Sequence, residues 1–164
     1  MAEIDFQSFI GQTSGEGTVV IERAPVTQFA TSLLDSSPEY RNADAASAAG
    51  FTGIPVPPTY GFSAPNWGRW EELQPAADGS IDPMSAVMGG LMANGGMVLH
   101  GEQSFTYHRP VVTGDVLSYR GVVSDIYQKE SGSATMTFMV IETTYVDESG
   151  APALTSTMNL IHRS

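Results

Sequence analysis

Few side chains in this sequence are suited to moving a proton, and they are spread along the chain. The run Asp35-Ser36-Ser37-Pro38-Glu39-Tyr40 offers a carboxylate able to hold a water molecule and, five residues on, a phenol. With an unperturbed pKa of about 10, Tyr40 is a poor base at neutral pH. His100 is followed by Gly101-Glu102, so a neighbouring carboxylate is placed to tune its imidazole. The three histidines are too scattered for a closed zinc site, and the absence of cysteine excludes disulfides and thiolate chemistry, so no metal is expected. Structural readings stand beside the chemical ones. Asp35, just past a helix end, also suits a cap or turn; Tyr40 suits packing, His108 a strand surface, and His162 has no evident role.

Positioning these groups falls to one strand, several short helices and a long stretch of sheet. Gly17-Thr18-Val19-Val20-Ile21-Glu22 is β-branched and bounded by glycine, which predicts a strand. Pro25 suits the first turn of a helix carrying Val26, Phe29, Ala30, Leu33 and Leu34 on one face and ending near Asp35. A further helical turn over 43–49 stops at Gly50, a residue suited to a C-terminal cap. Pro55, Pro57 and Pro58 then forbid regular structure and suit the start of a helix near Thr59. Tyr60, Phe62, Trp67 and Trp70 predict a buried helix reaching Leu73, broken or kinked at Pro65. Residues 74–81 read as a polar insertion. Asp82-Pro83 has the cap-plus-proline form of a helix start, leading into Met84, Val87, Met88, Leu91 and Met92 and ending at Asn94-Gly95-Gly96. Methionines at this spacing suit a pliable core, and a soft wall of them also suits a flexible acyl chain.

After Gly96 the sequence turns to strands. Residues 99–109, 116–128, 134–145 and 154–162 are rich in Val, Ile, Thr, Tyr and Phe, and Thr113-Gly114-Asp115, Glu130-Ser131-Gly132 and Asp147-Glu148-Ser149-Gly150 supply hairpin turns. Alternation sets Met136, Phe138 and Val140 against Thr135 and Thr137, and Leu154, Met158 and Leu160 against Thr155, Thr157 and Asn159. One buried and one more polar face is therefore expected on an antiparallel sheet. A strand, helices and then four long strands make an α+β layout with helix to bury on one sheet face.

Composition bounds the function. At 164 residues with 41% hydrophobic content, residues 1–164 read as one domain with a real core. A net charge of -11, from 7 Lys+Arg against 18 Asp+Glu, repels phosphate backbones and anionic membranes, so neither nucleic acid nor membrane is expected as a partner. The acidic start Met1-Ala2-Glu3-Ile4-Asp5 leads into no uninterrupted apolar run, so no signal peptide or membrane span is expected and the location reads as cytoplasmic.

Two segments resemble the MaoC-like (R)-specific hydratases, whose site reads Asp-x-Asn-Pro-x-His and then Gly-Phe-x-x-x-Ile-Ala-His-Gly. Here Asp35 keeps the aspartate and Tyr40 stands at the histidine. In the second run, Ala48-Ala49-Gly50-Phe51-Thr52-Gly53-Ile54-Pro55-Val56-Pro57-Pro58-Thr59, Pro57-Pro58 stand at His-Gly. Tyr107-His108-Arg109-Pro110-Val111-Val112-Thr113-Gly114-Asp115-Val116-Leu117 is similar to the family's Arg-Pro-Val-x-x-Gly-Asp-x-Leu signature. The chain thus looks like the fatty-acid-synthase-like dehydratase type of that family. The resemblance implies a hot dog fold, a long antiparallel sheet wrapped around a central helix. It also implies thioester substrates on coenzyme A or acyl carrier protein, and reversible hydration of a trans-2-enoyl group. Coenzyme A would enter as part of the substrate, with no separate cofactor.

Hydrating an enoyl thioester needs a group that takes a proton from water, one that supplies a proton to Cα, and donors for the developing enolate oxygen. In the family an Asp and a His divide the first two tasks, and a backbone N–H at the start of the hot dog helix serves the third. Tyr40 replaces the histidine, and Pro58 has no N–H to donate. These departures point to a non-catalytic half that shapes the acyl pocket beside a second, catalytic MaoC-like chain. The alternatives are a homodimeric acyl-coenzyme A binding protein without turnover, and a free-standing hydratase or thioesterase with relocated residues such as His100 or Asp35. The expected substrate-binding set is Gly53, Ile54, Pro57, Pro58, Thr59, Tyr60, Phe62, Met84, Met88 and Met92. Arg109 either meets a coenzyme A phosphate or fixes the strand turn with Gly114-Asp115. Exposed edge strands call for a partner's sheet, in a two-fold homodimer or a heterodimer.

Overall fold

β-Branched runs separated by glycine turns form the strands, and proline and Asx caps start the helices. A computed structural model describes residues 5–76, 79, 81–132 and 134–164. The expected lead-in at 1–4 and residues 77, 78 and 80 of the expected insertion lie outside them. The elements are β1 (Thr13–Val20), α1 (Arg23–Ser32), α2 (Ala43–Ala48), α3 (Tyr60–Trp67), α4 (Pro83–Met92), β2 (Met97–Tyr107), β3 (Val116–Ser131), β4 (Ala134–Val146) and β5 (Pro152–Arg163). Short 3-10 turns lie at Phe6–Phe9, Pro38–Tyr40 and Glu71–Leu73. The five strands make one antiparallel sheet in the order β1-β3-β4-β5-β2, which leaves β1 and β2 at its edges.

One sheet face carries both core clusters. The first gathers Val19, Ile21, Val26, Ala46, Tyr60, Leu117 and Leu154 under α1, α2 and α3. The second gathers Val87 and Met88 of α4 on Val123, Ile126, Met139 and Ile141, with Phe6 and Phe9 of the first 3-10 turn packed against it. A register shift between Val123 and Asp125 inserts Ser124 as an extra residue, which lets Val123 and Ile126 both point inward. The buried residues of β4 correct the expected alternation. Thr137, Met139, Ile141 and Tyr145 are buried, whereas Phe138 stacks on Tyr127 at 4.8 Å on the other face, beneath the Lys129 ammonium. Apolar residues occupy both faces of β4, so its period is clear but its phase is not, and one residue of phase exchanges the faces. In β5 the expected face holds: Leu160 pairs with Met139 and Met158 with Ile141.

The helices depart from expectation at their ends. α1 closes after Ser32 with Leu34 N–H on Thr31 O and Asp35 N–H on Ala30 O, the paired bonds of a left-handed helix terminus. Leu34 takes φ 59° there and is 92% exposed, so Leu33 and Leu34 do not continue the buried face. Gly50, at φ 90°, ends the α2 segment as expected, and Asp82 caps α4 by accepting from Ser85 N–H at 3.0 Å. The helix expected over 59–73 stops at Trp67, and both Trp67 and Trp70 are exposed rather than buried. Gly68 passes so close to the Val20 carbonyl that a Cβ has no room there, which pins the chain as it leaves α3.

Pro65 is accommodated within α3 at a definite cost. It supplies no N–H to the Gly61 carbonyl one turn back, and Tyr145 Oη donates to that carbonyl instead, at 3.1 Å in buried surroundings. Burial pushes the Tyr145 phenol well above its ordinary range, so it stays protonated as a donor. Tyr145→Phe is therefore expected to lower unfolding stability by about 1–3 kcal/mol, the cost of an unpaired buried acceptor. An unchanged urea midpoint would show that this bond does not hold α3.

Candidate functional site

The two resembling segments, far apart in sequence, meet at one cleft. Thr113 N–H donates to Ile54 O at 2.8 Å and Val56 N–H to Val111 O at 3.0 Å, tying the proline-rich segment to the chain after β2. Gly53 permits this approach, because a Cβ there would lie 3.1 Å from the Thr113 carbonyl oxygen. The resulting cleft has a volume of about 460 Å³ and is lined by Glu39, Tyr40, Phe51, Pro55, Val56, Pro58, Tyr107, His108, Arg109, Pro110 and Val111.

Tyr40 reaches the cleft from its 3-10 turn, and burial followed by the charges of Asp35 and Glu39 raises its pKa. That shift makes it a still poorer base. Asp35 does not line the cleft. Its carboxylate accepts the Ser37 N–H at 2.9 Å in an Asx turn, and hydrogen bonds from Ser37 hold its pKa below the ordinary value. Pro58 presents a carbonyl rather than an N–H, and Tyr107 Oη donates to it at 3.0 Å. Burial, with a smaller contribution from Tyr40, pushes the Tyr107 pKa up to about 12. The cleft is therefore lined by two phenols that stay protonated, one of them bonded to Pro58.

His108, read from sequence as a strand surface residue, is the histidine that lines this cleft, its Nε2 2.9 Å from Thr155 Oγ1. Its signal was its place beside Arg109-Pro110, in the segment that closes on the proline-rich run. Arg109 donates to Asp115 Oδ2 at 2.7 Å and lies 3.7 Å from Asp147 Oδ2, and the hydrogen bond to Asp115 is the main cause of its raised pKa. Asp115 also accepts from Val112 N–H at 3.0 Å, so the pair braces the turn after β2.

His100 belongs to a separate cavity of about 370 Å³, with Phe29, Thr59, Phe62, Ser63, Gln103 and Phe105. Its ring meets Phe62 edge to face at 5.1 Å. A register shift falls between His100 and Gln103, and the Glu102 carboxylate accepts from Asn159 Nδ2. Ile54, Pro57 and Tyr60 are buried, and Tyr60 sits edge on to Phe29 at 5.4 Å. Met84 and Met88 pack in the second core cluster, while Met92 is 43% exposed. Of the expected α3 and α4 residues, Phe62 borders the His100 cavity.

A family described as "FAS1-like, dehydratase domain region" matches residues 8–156. The chain belongs to this dehydratase family. It is 30% identical over 159 residues to a UPF0336 protein of Parafrankia sp. (strain EAN1pec), covering 96% of this chain and 93% of that protein. A UPF0336 protein of Thermobifida fusca is 28% identical over 143 residues, covering 87% and 83%. The fold is that of the MaoC-like hot dog dehydratases. A chain of the ChsH1-ChsH2 complex of Mycobacterium tuberculosis superposes with a TM-score of 0.68 at 18% identity, covering 91% of this chain and 83% of that one. A chain of the C-terminally truncated HadBC (3R-hydroxyacyl-ACP dehydratase) complex from the same organism gives 0.67 at 15%, covering 93% and 96%. The five-stranded antiparallel sheet with helices on one face is thus the expected hot dog architecture. Among the described residues of this family member, no helix is long and apolar enough to cross a membrane.

Proposed function

We propose that this dehydratase-family chain is the acyl-binding half of an enoyl-thioester hydratase or 3-hydroxyacyl-thioester dehydratase, joined to a second hot dog subunit that carries the catalytic Asp and His. The observation that carries this reading is the cleft itself. Backbone bonds close the two family-like segments into a cleft lined by Tyr40 and Pro58, which by resemblance stand at the histidine and N–H donor positions, and Tyr107 donates to the Pro58 carbonyl. A pocket kept while its catalyst is replaced suits holding a thioester better than transforming one.

The second support is the β2 edge. Met97, Val98 and Leu99 are 51%, 39% and 41% exposed on a strand whose outer side pairs with no other strand among the described residues. Apolar side chains beside unpaired backbone groups invite strand addition. Sedimentation or light scattering at micromolar concentration should therefore find a dimer, or a heterodimer when the catalytic chain is present, and charged residues at Val98 and Leu99 should dissociate it. A clean monomer would remove the paired reading. Calorimetric titration with a saturated acyl-coenzyme A tests the acyl-binding part separately, and no detectable binding by the paired protein would refute it.

A further inference from the structure

We propose that the space beneath α3 recognises a hydroxyl group borne by the acyl chain far from its thioester, with the Gln103 side-chain amide as the recognising group. This rests on the acyl-binding reading and adds the substrate class. Gln103 and Phe62 together border two cavities. The outer one, of about 370 Å³, opens beside Thr59, His100 and Phe105, and the inner one, of about 150 Å³, lies beneath Pro65. Pro58 lines the candidate cleft and Thr59 the outer cavity, so a chain whose thioester rests in the cleft reaches the cavity across the first turn of α3. Phe62, 47% exposed with its ring on His100, lines both cavities, as Gln103 does.

The far end of this path is unlike a hydrocarbon sleeve. The inner cavity is bordered by Ser14, Thr143 and Ser156 and by Tyr119 and Tyr145, as well as by Met158. On its wall Gln103 Nε2 donates to the Ser156 hydroxyl at 2.6 Å, while Gln103 Oε1 is enclosed and has no protein partner. An enclosed amide oxygen without a donor is costly, so it favours a ligand that supplies one. The two orientations of an amide exchange its oxygen and nitrogen. Turned over, Oε1 would accept from Ser156 and Nε2 would be the unpaired atom. A hydroxyl serves both cases, because it can donate to the oxygen or accept from the nitrogen. A carbonyl or an ammonium group serves only one. The geometry therefore favours an alcohol over a carbonyl or ammonium chain end, and over a plain alkyl chain.

The test uses the full chain and two probes, 1-hexanol and its isostere heptane, with the Gln103 side-chain amide followed by ¹H–¹⁵N NMR. Hexanol should shift that resonance. The ratio of hexanol to heptane affinity should fall by about tenfold in Gln103→Leu, which removes one hydrogen bond to an enclosed partner. The same variant should lower the preference of the protein for ω-hydroxydodecanoyl- over dodecanoyl-coenzyme A by a similar factor. If Gln103→Leu does not fold, Ser156→Ala leaves the amide with two unpaired atoms and should strengthen the alcohol preference. An unshifted Gln103 resonance, or affinity ratios equal in wild type and variants, would overturn the inference. Dodecanoyl-coenzyme A failing to bind while hexanol still binds at Gln103 would instead sink the acyl-binding reading and leave the alcohol site standing.

Discussion

The purified chain is expected to hydrate crotonyl-coenzyme A or a longer enoyl-coenzyme A negligibly, and activity should appear only when a partner bearing the intact Asp and His is added. Loss of a general base alone costs about 10² to 10⁴ in rate. Loss of one oxyanion donor costs a further factor of roughly 10² to 10³. The first deficit follows from Tyr40, whose raised pKa keeps it protonated at the position that the sequence resemblance matches to a histidine. The second follows from Pro58, which has no N–H and whose carbonyl is bonded to Tyr107. Asp35 does not compensate, because its carboxylate is held in an Asx turn and does not border the cleft. A stopped-flow or absorbance assay of enoyl loss, with and without the partner, decides the matter. Substantial turnover by the chain alone would sink the partner-subunit reading. It would also direct attention to His108, which shares the cleft with Glu39, and His108→Ala should then abolish the rate. His100→Ala and Asp35→Asn are expected to leave it unchanged, since neither residue borders the cleft.

The largest effect on stability is expected where α3 meets β5. Leu154 is 2% exposed and lies directly under Gly61, so close that a Cβ on Gly61 would overlap its side chain. Leu154→Ala should cost about 2–5 kcal/mol, through lost transfer free energy and the cavity left behind. Gly61→Ala brings two opposed terms. Alanine is better than glycine in a helix by about 1 kcal/mol, while overpacking a filled core costs about 1–3 kcal/mol. The clash should win, because Leu154 is held within the first core cluster and α3 is also tied down by the Tyr145 bond to Gly61. The double variant gives the sharper measurement, since the smaller residue at 154 makes room for the new methyl. Its stability should exceed the sum of the single effects by about 0.5–3 kcal/mol, as contacting sites do. Strict additivity in urea unfolding would show that the two residues do not meet as described.

Residues whose effect is local were legible in the sequence. Asp82-Pro83 started α4 and Gly50 closed the α2 segment because caps and left-handed termini are set by the residue itself and its immediate neighbours. The strands appeared where β-branched runs met glycine turns, and the two family-like segments mark both walls of the cleft. The departures at Tyr40 and Pro58 were equally plain, since a phenol and a missing N–H are properties of residue type.

What depends on distant partners was decided only in the tertiary structure. The phase of β4 turned on which of its two apolar faces met α4, and Trp67 and Trp70 were left exposed because α3 stops at Gly68 against β1. Leu34 lost its place on the buried face when α1 ended after Ser32 and Leu34 itself took the left-handed turn. His108 entered the cleft, and His100 was kept from it, through the closing of two segments far apart in the chain. Gln103 looked like any polar residue on a strand until β2 and β5 paired and α3 covered them, enclosing one of its amide atoms without a partner. Residue type determines what a group can do, but burial, register and the neighbour opposite determine whether it meets a ligand, and those are set by contacts between residues tens of positions apart.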